Sequence, residues 1–453
     1  MSTDGRPDLD SIINRGGTSR FQTVIIALCA AVMIVDGFDT QAISFAAPAI
    51  AADWQVHPAS FGFVFGIGLF GGLVGAVCTG VFADRIGRKP TLMITVLLFG
   101  VASLATPFAD SLGTLGAIRF VTGLGVGGAL PGAIALAAEY APERSRATVA
   151  AVTFCGIPLG SVLGSGLASQ LIPAFGWESV FVVGGVLPLM LLPFIVARVP
   201  ESIRFLALKH DEAAIARLLA RMGVPEEQAT QVKIRPDSET RRTPVRSLFT
   251  EGRALGTSLL SLAVFLTLLM AFFLVNWIPT LATRAGIGTS AAILGVGALN
   301  IGGILGCLVI SRLSNRWAPG MAISLCYALG GIAIACVGQA GTSGTWLLIT
   351  AFIAGLLAIG AQMCTVSLLA IYYDTGLRGT GVGWAMGCGR VGGIIGPVVG
   401  GWLIAASVSM GAIFIIAGVV CAACAVVVFA LGRFVLRGPT EHDVAAQNAA
   451  PAP

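Results

Sequence analysis

The chain of 453 residues is 56% hydrophobic and 11% charged, with 60 glycines and a formal net charge of +5, and its mean hydropathy is +0.90. This composition excludes a soluble globular protein and places the chain in a bilayer, where small residues let helices approach closely. The basic excess sits between apolar runs, so it reads as a topology signal and not as a nucleic-acid surface.

The polar start, MSTDGRPDLDSIINRGG, has no basic n-region, short apolar core or small-residue cleavage site, so the first apolar run is read as part of the mature protein. A bilayer crossing needs about 20 apolar residues. Twelve such runs follow: 21–50, 58–83, 90–108, 113–140, 147–172, 178–198, 254–282, 289–311, 319–339, 345–373, 379–406 and 411–435. Residues 199–253, rich in Arg, Lys, Glu and Asp with Pro225, Pro236 and Pro244, separate six spans from six. They predict a cytoplasmic linker with one short amphipathic helix around Asp211 to Met222. The expected organisation is an all-α membrane protein: N-terminal tail 1–20, first six-helix half 21–198, linker 199–253, second half 254–435 and C-terminal tail 436–453.

Apart from Arg119, Arg284 and Arg390, the 27 Lys and Arg lie in the tails, the central segment and the loops after even spans. Both termini are therefore expected in the cytoplasm. Phe120, Gly123, Gly128, Ala138, Tyr140, Arg146, Gly160 and Gly164 recur at a constant offset of 232 as Phe352, Gly355, Gly360, Ala370, Tyr372, Arg378, Gly392 and Gly396. The two halves are thus parallel repeats, an architecture that places a substrate site between halves near the midplane and works by rocking one half against the other.

In span 1, VMIVDGFDTQAISF puts Asp36 and Asp39 in an apolar run. A carboxylate at the bilayer centre costs about 2.5–3.5 kcal/mol on insertion scales, so the pair demands a cavity, a cation or protonation. Three residues apart on a helix, they share a face, and two close carboxylates in low dielectric do not both ionise easily. A carboxylate that protonates near physiological pH is what proton coupling requires; the alternative is a structural pair neutralised by a fixed arginine. Arg119 in span 4 sits at a depth that could match Asp39, and Arg390 in span 11 has Pro158 as its repeat counterpart, so it is no shared scaffold feature. An arginine fork suits a carboxylate bidentately, and an anionic organic substrate is the simplest reason to keep such arginines in a membrane. Arg119 is read as a substrate or proton-site partner and Arg390 as a substrate ligand.

Asn276, Trp277, Gln362 and Trp384 combine hydrogen-bonding groups with aromatic faces, as an aromatic ligand would want. Tyr372 and Tyr373 read as interface residues, and Glu139, near the end of span 4, as either a gate residue or a surface charge. Gly123, Gly125 and Gly128 match GxGxxG but lie in a bilayer helix with no preceding strand, so they read as packing. The ten cysteines all fall in apolar runs, and the CxxC of Cys421 and Cys424 also reads as packing, with no metal implied. His57, His210 and His442 are scattered through loops and tail, and no soluble-enzyme constellation is present.

The loop after span 2, GVFADRIGRKP, Gly80 to Pro90, resembles the GxxxDRxGRK signature of the major facilitator superfamily. DGFDTQ in span 1 is similar to the DGxD signature of that superfamily's aromatic acid:proton symporters, and RFVTGLGVGGALPGAIALAAEY, WESVFVVGGVLP, PESIRFL, NWIPTL and RGTGVGWAMGCGRVGGIIGPVVGG resemble further segments of that family. The resemblance spans the chain from span 1 to span 12 and implies the major facilitator fold with proton-coupled uptake of an aromatic carboxylate. It attaches importance to Asp36, Asp39, Asp84, Arg119, Glu139, Arg378 and Arg390, with Asp84, Arg85, Gly87, Arg88 and Lys89 in an inner gate. The second-half copy of the gate loop departs from the pattern: SRLSNR has Ser311 where an aspartate is expected and Ser314 in place of the glycine. GPVVGG, Gly396 to Gly401, resembles an antiporter signature displaced to span 11 and reads as packing.

The resulting expectation is a monomeric symporter in the bacterial inner membrane, importing a hydroxybenzoate, benzoate or phenylpropionate-type acid with a proton. It needs the proton gradient and no cofactor, and binds no nucleic acid. The rival readings are a proton-coupled drug or metabolite efflux antiporter and an aromatic acid chemosensor.

Overall fold

In the absence of water, a chain crossing lipid must satisfy its backbone groups internally, which leaves helices or closed barrels. The computed structural model describes residues 19–222, 244–314 and 319–434, and among these the regular elements are all helices joined by short turns. Twelve of its helices are long and apolar enough to cross a membrane. They are span 1 (Arg20–Asp53), span 2 (Pro58–Ile86), span 3 (Arg88–Phe108), span 4 (Leu112–Glu139), span 5 (Glu143–Phe175), span 6 (Glu178–Arg198), span 7 (Ala254–Arg284), span 8 (Thr289–Ser314), span 9 (Gly320–Val337), span 10 (Gly344–Leu369), span 11 (Gly376–Ala405) and span 12 (Met410–Arg433). Local sequence sets their ends. Ser19 and Gln22 form a reciprocal capping box at the start of span 1, and Gly87, at φ +103°, breaks the chain between spans 2 and 3.

The chain divides into two compact units. The first holds Met1–Thr240 together with Val275–Asn300 and Pro397–Ser407; the second holds Arg241–Leu274, Ile301–Gly396 and Val408–Pro453. The first unit thus contains spans 1–6 and the ends of spans 7, 8 and 11 that lie within Val275–Asn300 and Pro397–Ser407.

Glycine sets the helix spacing in both units. A Cβ at Gly71 would lie 2.3 Å from the Phe120 carbonyl oxygen, and one at Gly75 would lie 2.2 Å from that of Leu124. Spans 2 and 4 are therefore in backbone contact. In the second unit, Cβ atoms added at Gly302 and Gly306 of span 8 would fall 2.1 and 1.9 Å from the Phe352 and Leu356 carbonyl oxygens of span 10. The same crossing is built twice, as expected of a repeat. Spans 9 and 12 run antiparallel with Gly320 against Gly432, Gly331 against Gly418 and Gly338 against Gly411. Cβ atoms added at Gly392 and Gly396 would fall 2.2 and 2.3 Å from the Phe265 and Leu269 carbonyl oxygens, so the start of the GPVVGG run packs span 11 onto span 7.

The amphipathic helix expected in the central segment runs Glu212–Arg221, capped by Asp211 and burying Ile215, Leu218 and Leu219. A second short helix, Ile203–Leu208, precedes it and supplies Leu206 and Ala207 to that small core. Pro225, Pro236 and His442 lie outside the described residues.

The glycine crossings are open to a direct check. Gly75→Ala is expected to lower stability by about 1–3 kcal/mol, since its methyl has only backbone to displace. Gly80→Ala, with no atom within 4 Å of its Cβ, is expected to be neutral. Thermal unfolding of the two variants in detergent reads the difference.

Candidate functional site

Span 1 carries Asp36 and Asp39, both buried at 2% and 0% exposure. Their environments differ. Asp36 accepts a hydrogen bond from Thr40, one turn along its own helix, at 3.4 Å. Asp39 faces neighbouring spans: Ser103 of span 3 donates to its Oδ1 at 2.5 Å, and Arg119 of span 4 brings Nη1 to 3.8 Å from Oδ2.

Arg119 is enclosed in turn. Its Nη2 donates to the Thr106 hydroxyl at the end of span 3, and its guanidinium carbon lies 4.9 Å from the Phe181 ring centre in span 6. A cation over a desolvated ring is held by the ring quadrupole. Four spans of the first unit thus converge on one ion pair. The pair is loose: Asp39 Oδ2 and Arg119 Nε, both buried, have no hydrogen-bond partner. A carboxylate with one oxygen satisfied and the other facing a cation across nearly 4 Å can take a proton on the open oxygen without losing its Ser103 bond.

Of the residues expected in a gate, Arg88 and Glu139 meet in a second cluster, formed at the start of span 3 and the end of span 4. Arg88 pairs with Glu139, which also accepts from Ser202 at 2.6 Å. Asp84, Arg85 and Arg378 are exposed, and Arg378 Nε donates to the Tyr373 carbonyl at 3.4 Å. Glu201 organises this region. Its Oε1 accepts the backbone N–H groups of Arg88, Lys89 and Ser202 at 2.8, 3.1 and 2.8 Å, an anion seated on the first turn of span 3. Tyr140 donates to the Glu201 carbonyl at 2.6 Å. A Cβ at Gly87 would fall 2.3 Å from Glu201 Oε2, so the glycine of the gate loop makes room for this carboxylate. Sequence reading passed over Glu201; the signal was its place in PESIRFL, directly after span 6.

A third cluster lies at the other end of the first unit. Ser44 donates to Asn276 Oδ1 at 2.7 Å, and Trp277 donates its indole N–H to the Pro397 carbonyl at 2.9 Å while its ring meets Phe65 edge-to-face at 5.3 Å. Both Asn276 and Trp277 are buried, so Trp277 spends its polar group on the protein. Span 5 adds Ser161, Ser165 and Ser169, one turn apart. Asn300 donates to Ser161 at 3.0 Å, Ser290 donates to the Ser169 carbonyl at 2.8 Å, and a Cβ at Gly297 would meet the Ser165 hydroxyl at 2.2 Å. A Cβ at Gly62 would lie 3.0 Å from Gly401.

The second unit holds the remaining candidates. Arg390 and Gln362 are half-buried. Trp384 is 39% exposed, with its ring 5.9 Å from Phe249. Span 10 contains a π-helical turn, Gly355–Ile359, in which Gly360 donates back to the Gly355 carbonyl. Such turns re-aim the side chains that follow them, and Gln362 is among those.

The model of the Major Facilitator Superfamily matches residues 29–392. The chain belongs to the major facilitator superfamily. The resemblance read from DGFDTQ holds at the level of named relatives. The chain is 35% identical to the gallate transporter of Pseudomonas putida over 96% of this chain and 97% of that protein. It is 37% identical to the 4-hydroxybenzoate transporter PcaK of Pseudomonas aeruginosa over 88% and 90%. Among solved structures, a bacterial homologue of the human lysosomal transporter Spinster, inward-facing and unoccupied, superposes with a TM-score of 0.72 at 15% identity, covering 94% of this chain and all of that one. That likeness concerns the superfamily fold alone.

Removing one partner of a buried ion pair strands the other. Arg119→Gln is therefore expected to cost about 3–5 kcal/mol, and Asp39→Asn added to it to recover most of the loss. Thermal unfolding of both singles and the double completes the cycle; additive losses would mean that the two side chains do not interact.

Proposed function

We propose that this protein is a proton-coupled symporter that imports an aromatic carboxylic acid of the hydroxybenzoate type across the bacterial inner membrane, as a monomer with both termini in the cytoplasm. The observation that carries the reading is the enclosed Asp39–Arg119 pair in a chain whose relatives are named aromatic acid transporters. Transport, not catalysis, is the activity.

Asp39 is the proton site in this reading. Ionised, it holds Arg119; protonated, it leaves the guanidinium without its counter-ion, and the four spans around it repack. Arg119 acts as the proton-site partner, since its groups are committed to Asp39, Thr106 and Phe181. Asp36, one helical turn away, adds a second acidic group to the same segment. Arg390, half-buried in span 11, receives the substrate carboxylate, with Gln362 and Trp384 offering an amide and an aromatic face from the second unit.

Asn276 and Trp277 serve better as closure residues than as ligands. The Ser44–Asn276 bond, the span 5 serines and the Trp277–Pro397 bond form an outer gate in its closed state, and the Arg88–Glu139–Ser202 group with Glu201 braces the inner-loop region of the first half.

Two experiments test this. Asp39→Asn is expected to abolish uphill uptake of labelled 4-hydroxybenzoate while sparing exchange of substrate across the membrane, and an uncoupler is expected to stop uptake by the wild type; equal loss of uptake and exchange would reduce Asp39 to a structural role. For the gate, Ser44→Cys with Asn276→Cys is expected to cross-link and block uptake until reduced. Full uptake by the cross-linked protein would remove this contact from the transport cycle.

A further inference from the structure

Five cysteines of the second unit, Cys307, Cys326, Cys364, Cys421 and Cys424, are candidates for chemistry that transport does not use. Cys421 and Cys424 look like the pair in sequence, but Cys421 donates its thiol to the Tyr327 carbonyl at 3.2 Å and both are fully buried on one helix. The pair in space is different. Cys307 of span 8 and Cys364 of span 10 have their sulfur atoms 4.0 Å apart, and the Cys364 thiol also lies 3.6 Å from the Cys307 carbonyl.

The glycine crossing makes this approach possible. A Cβ at Gly360 would sit 2.8 Å from the Gly306 Cα and 2.9 Å from the Cys307 nitrogen, so the two backbones touch beside Cys307, and Cys364 follows one turn later. A disulfide requires sulfurs at about 2.05 Å and Cβ atoms at about 3.5–4.5 Å. From 4.0 Å the sulfurs have about 2 Å left to close. Cys364 is buried, but Cys307 is half-buried, so the approach for a small reagent is from the Cys307 side.

We propose that Cys307 and Cys364 form a dithiol modification site that reacts with peroxide-class oxidants and trivalent arsenicals, and that its closure stops transport. With a peroxide, the Cys307 thiol attacks the O–O bond, giving a sulfenic acid and one water. The Cys364 thiol then displaces the hydroxyl as a second water. Two thiols and one hydrogen peroxide become one disulfide and two waters. A dithiol reductant reverses the reaction by exchange.

The link matters because of what lies beside it. The π turn at Gly355–Ile359 ends one turn before Cys364, and its relaxation to ordinary α-helix would rotate and translate the following residues, Gln362 among them, against span 8. A covalent staple between the spans holds that segment in one register.

The test uses the full-length protein in proteoliposomes with an imposed proton gradient and 4-hydroxybenzoate as the probe, and peptide mapping by mass spectrometry reads the chemistry independently of transport. Hydrogen peroxide is expected to yield a Cys307–Cys364 linked peptide and to remove most of the uptake, which dithiothreitol restores. Phenylarsine oxide, whose arsenic bonds both sulfurs while its oxygen leaves with the two thiol protons as water, is expected to remove uptake without forming a disulfide and to be reversed by a dithiol. Cys307→Ser and Cys364→Ser, each transporting under reducing conditions, are expected to resist both reagents. The proposal falls if the thiols stay free after the exposed Cys78 and Cys155 have been oxidised, if uptake is unchanged with the link in place, or if the two serine variants lose uptake as the wild type does.

Discussion

The interaction on which the rest depends is the ion pair of Asp39 and Arg119, shut inside the first helical unit. Neither charge could be kept in a bilayer alone, and each is affordable only because the other is there. The contact is incomplete: Asp39 takes one hydrogen bond from Ser103 and faces Arg119 across 3.8 Å. A bidentate salt bridge would lock both charges in place. In the proposed cycle this looser arrangement lets Asp39 take a proton on its open oxygen without losing the Ser103 bond, and the Arg119 charge stranded by that proton is what drives the surrounding spans to repack.

Close backbone packing is what brings four spans onto that pair. Because glycine lets spans 2 and 4 touch, Arg119 is drawn into the bundle, and the short side chains of Ser103 and Thr106 leave room for its guanidinium. The same device recurs in the second unit, where the span 8–span 10 crossing is repeated at the corresponding glycines, but its polar contents differ. No arginine replaces Arg119 at the repeat position in span 10; Ala351 stands there. The halves share a frame, and in the proposed reading they divide the chemistry, with the acidic pair in one and Arg390 in the other.

Much of this was legible in the sequence. Twelve apolar runs, the repeat and the acidic pair in span 1 follow from composition and local pattern, the loop after span 2 was marked by its family resemblance, and Arg119 could be matched to Asp39 by depth along antiparallel spans. What the sequence could not show is which side chains meet between distant segments. The Ser161, Ser165 and Ser169 ladder is an ordinary set of small residues until Asn300 and Ser290 are seen against it. Asn276 and Trp277 have the chemistry of ligands, and the fold adds that Ser44 donates to the one and the other donates to the Pro397 carbonyl. Glu201 lies in a charged segment, and only its hydrogen bonds from the Arg88 and Lys89 backbone reveal that its carboxylate rests on the next helix. The CxxC motif drew attention to Cys421 and Cys424, whereas the facing thiols come from spans 8 and 10.

The central claim is that Asp39 changes protonation as substrate moves. Infrared difference spectroscopy of the purified protein, recorded on adding 4-hydroxybenzoate, observes the carboxyl group itself. The account predicts that the C=O band of a protonated carboxylic acid appears or shifts on binding and is absent from the same difference spectrum of Asp39→Asn. A wild-type spectrum with no change in that band, or one that the substitution leaves intact, would contradict it.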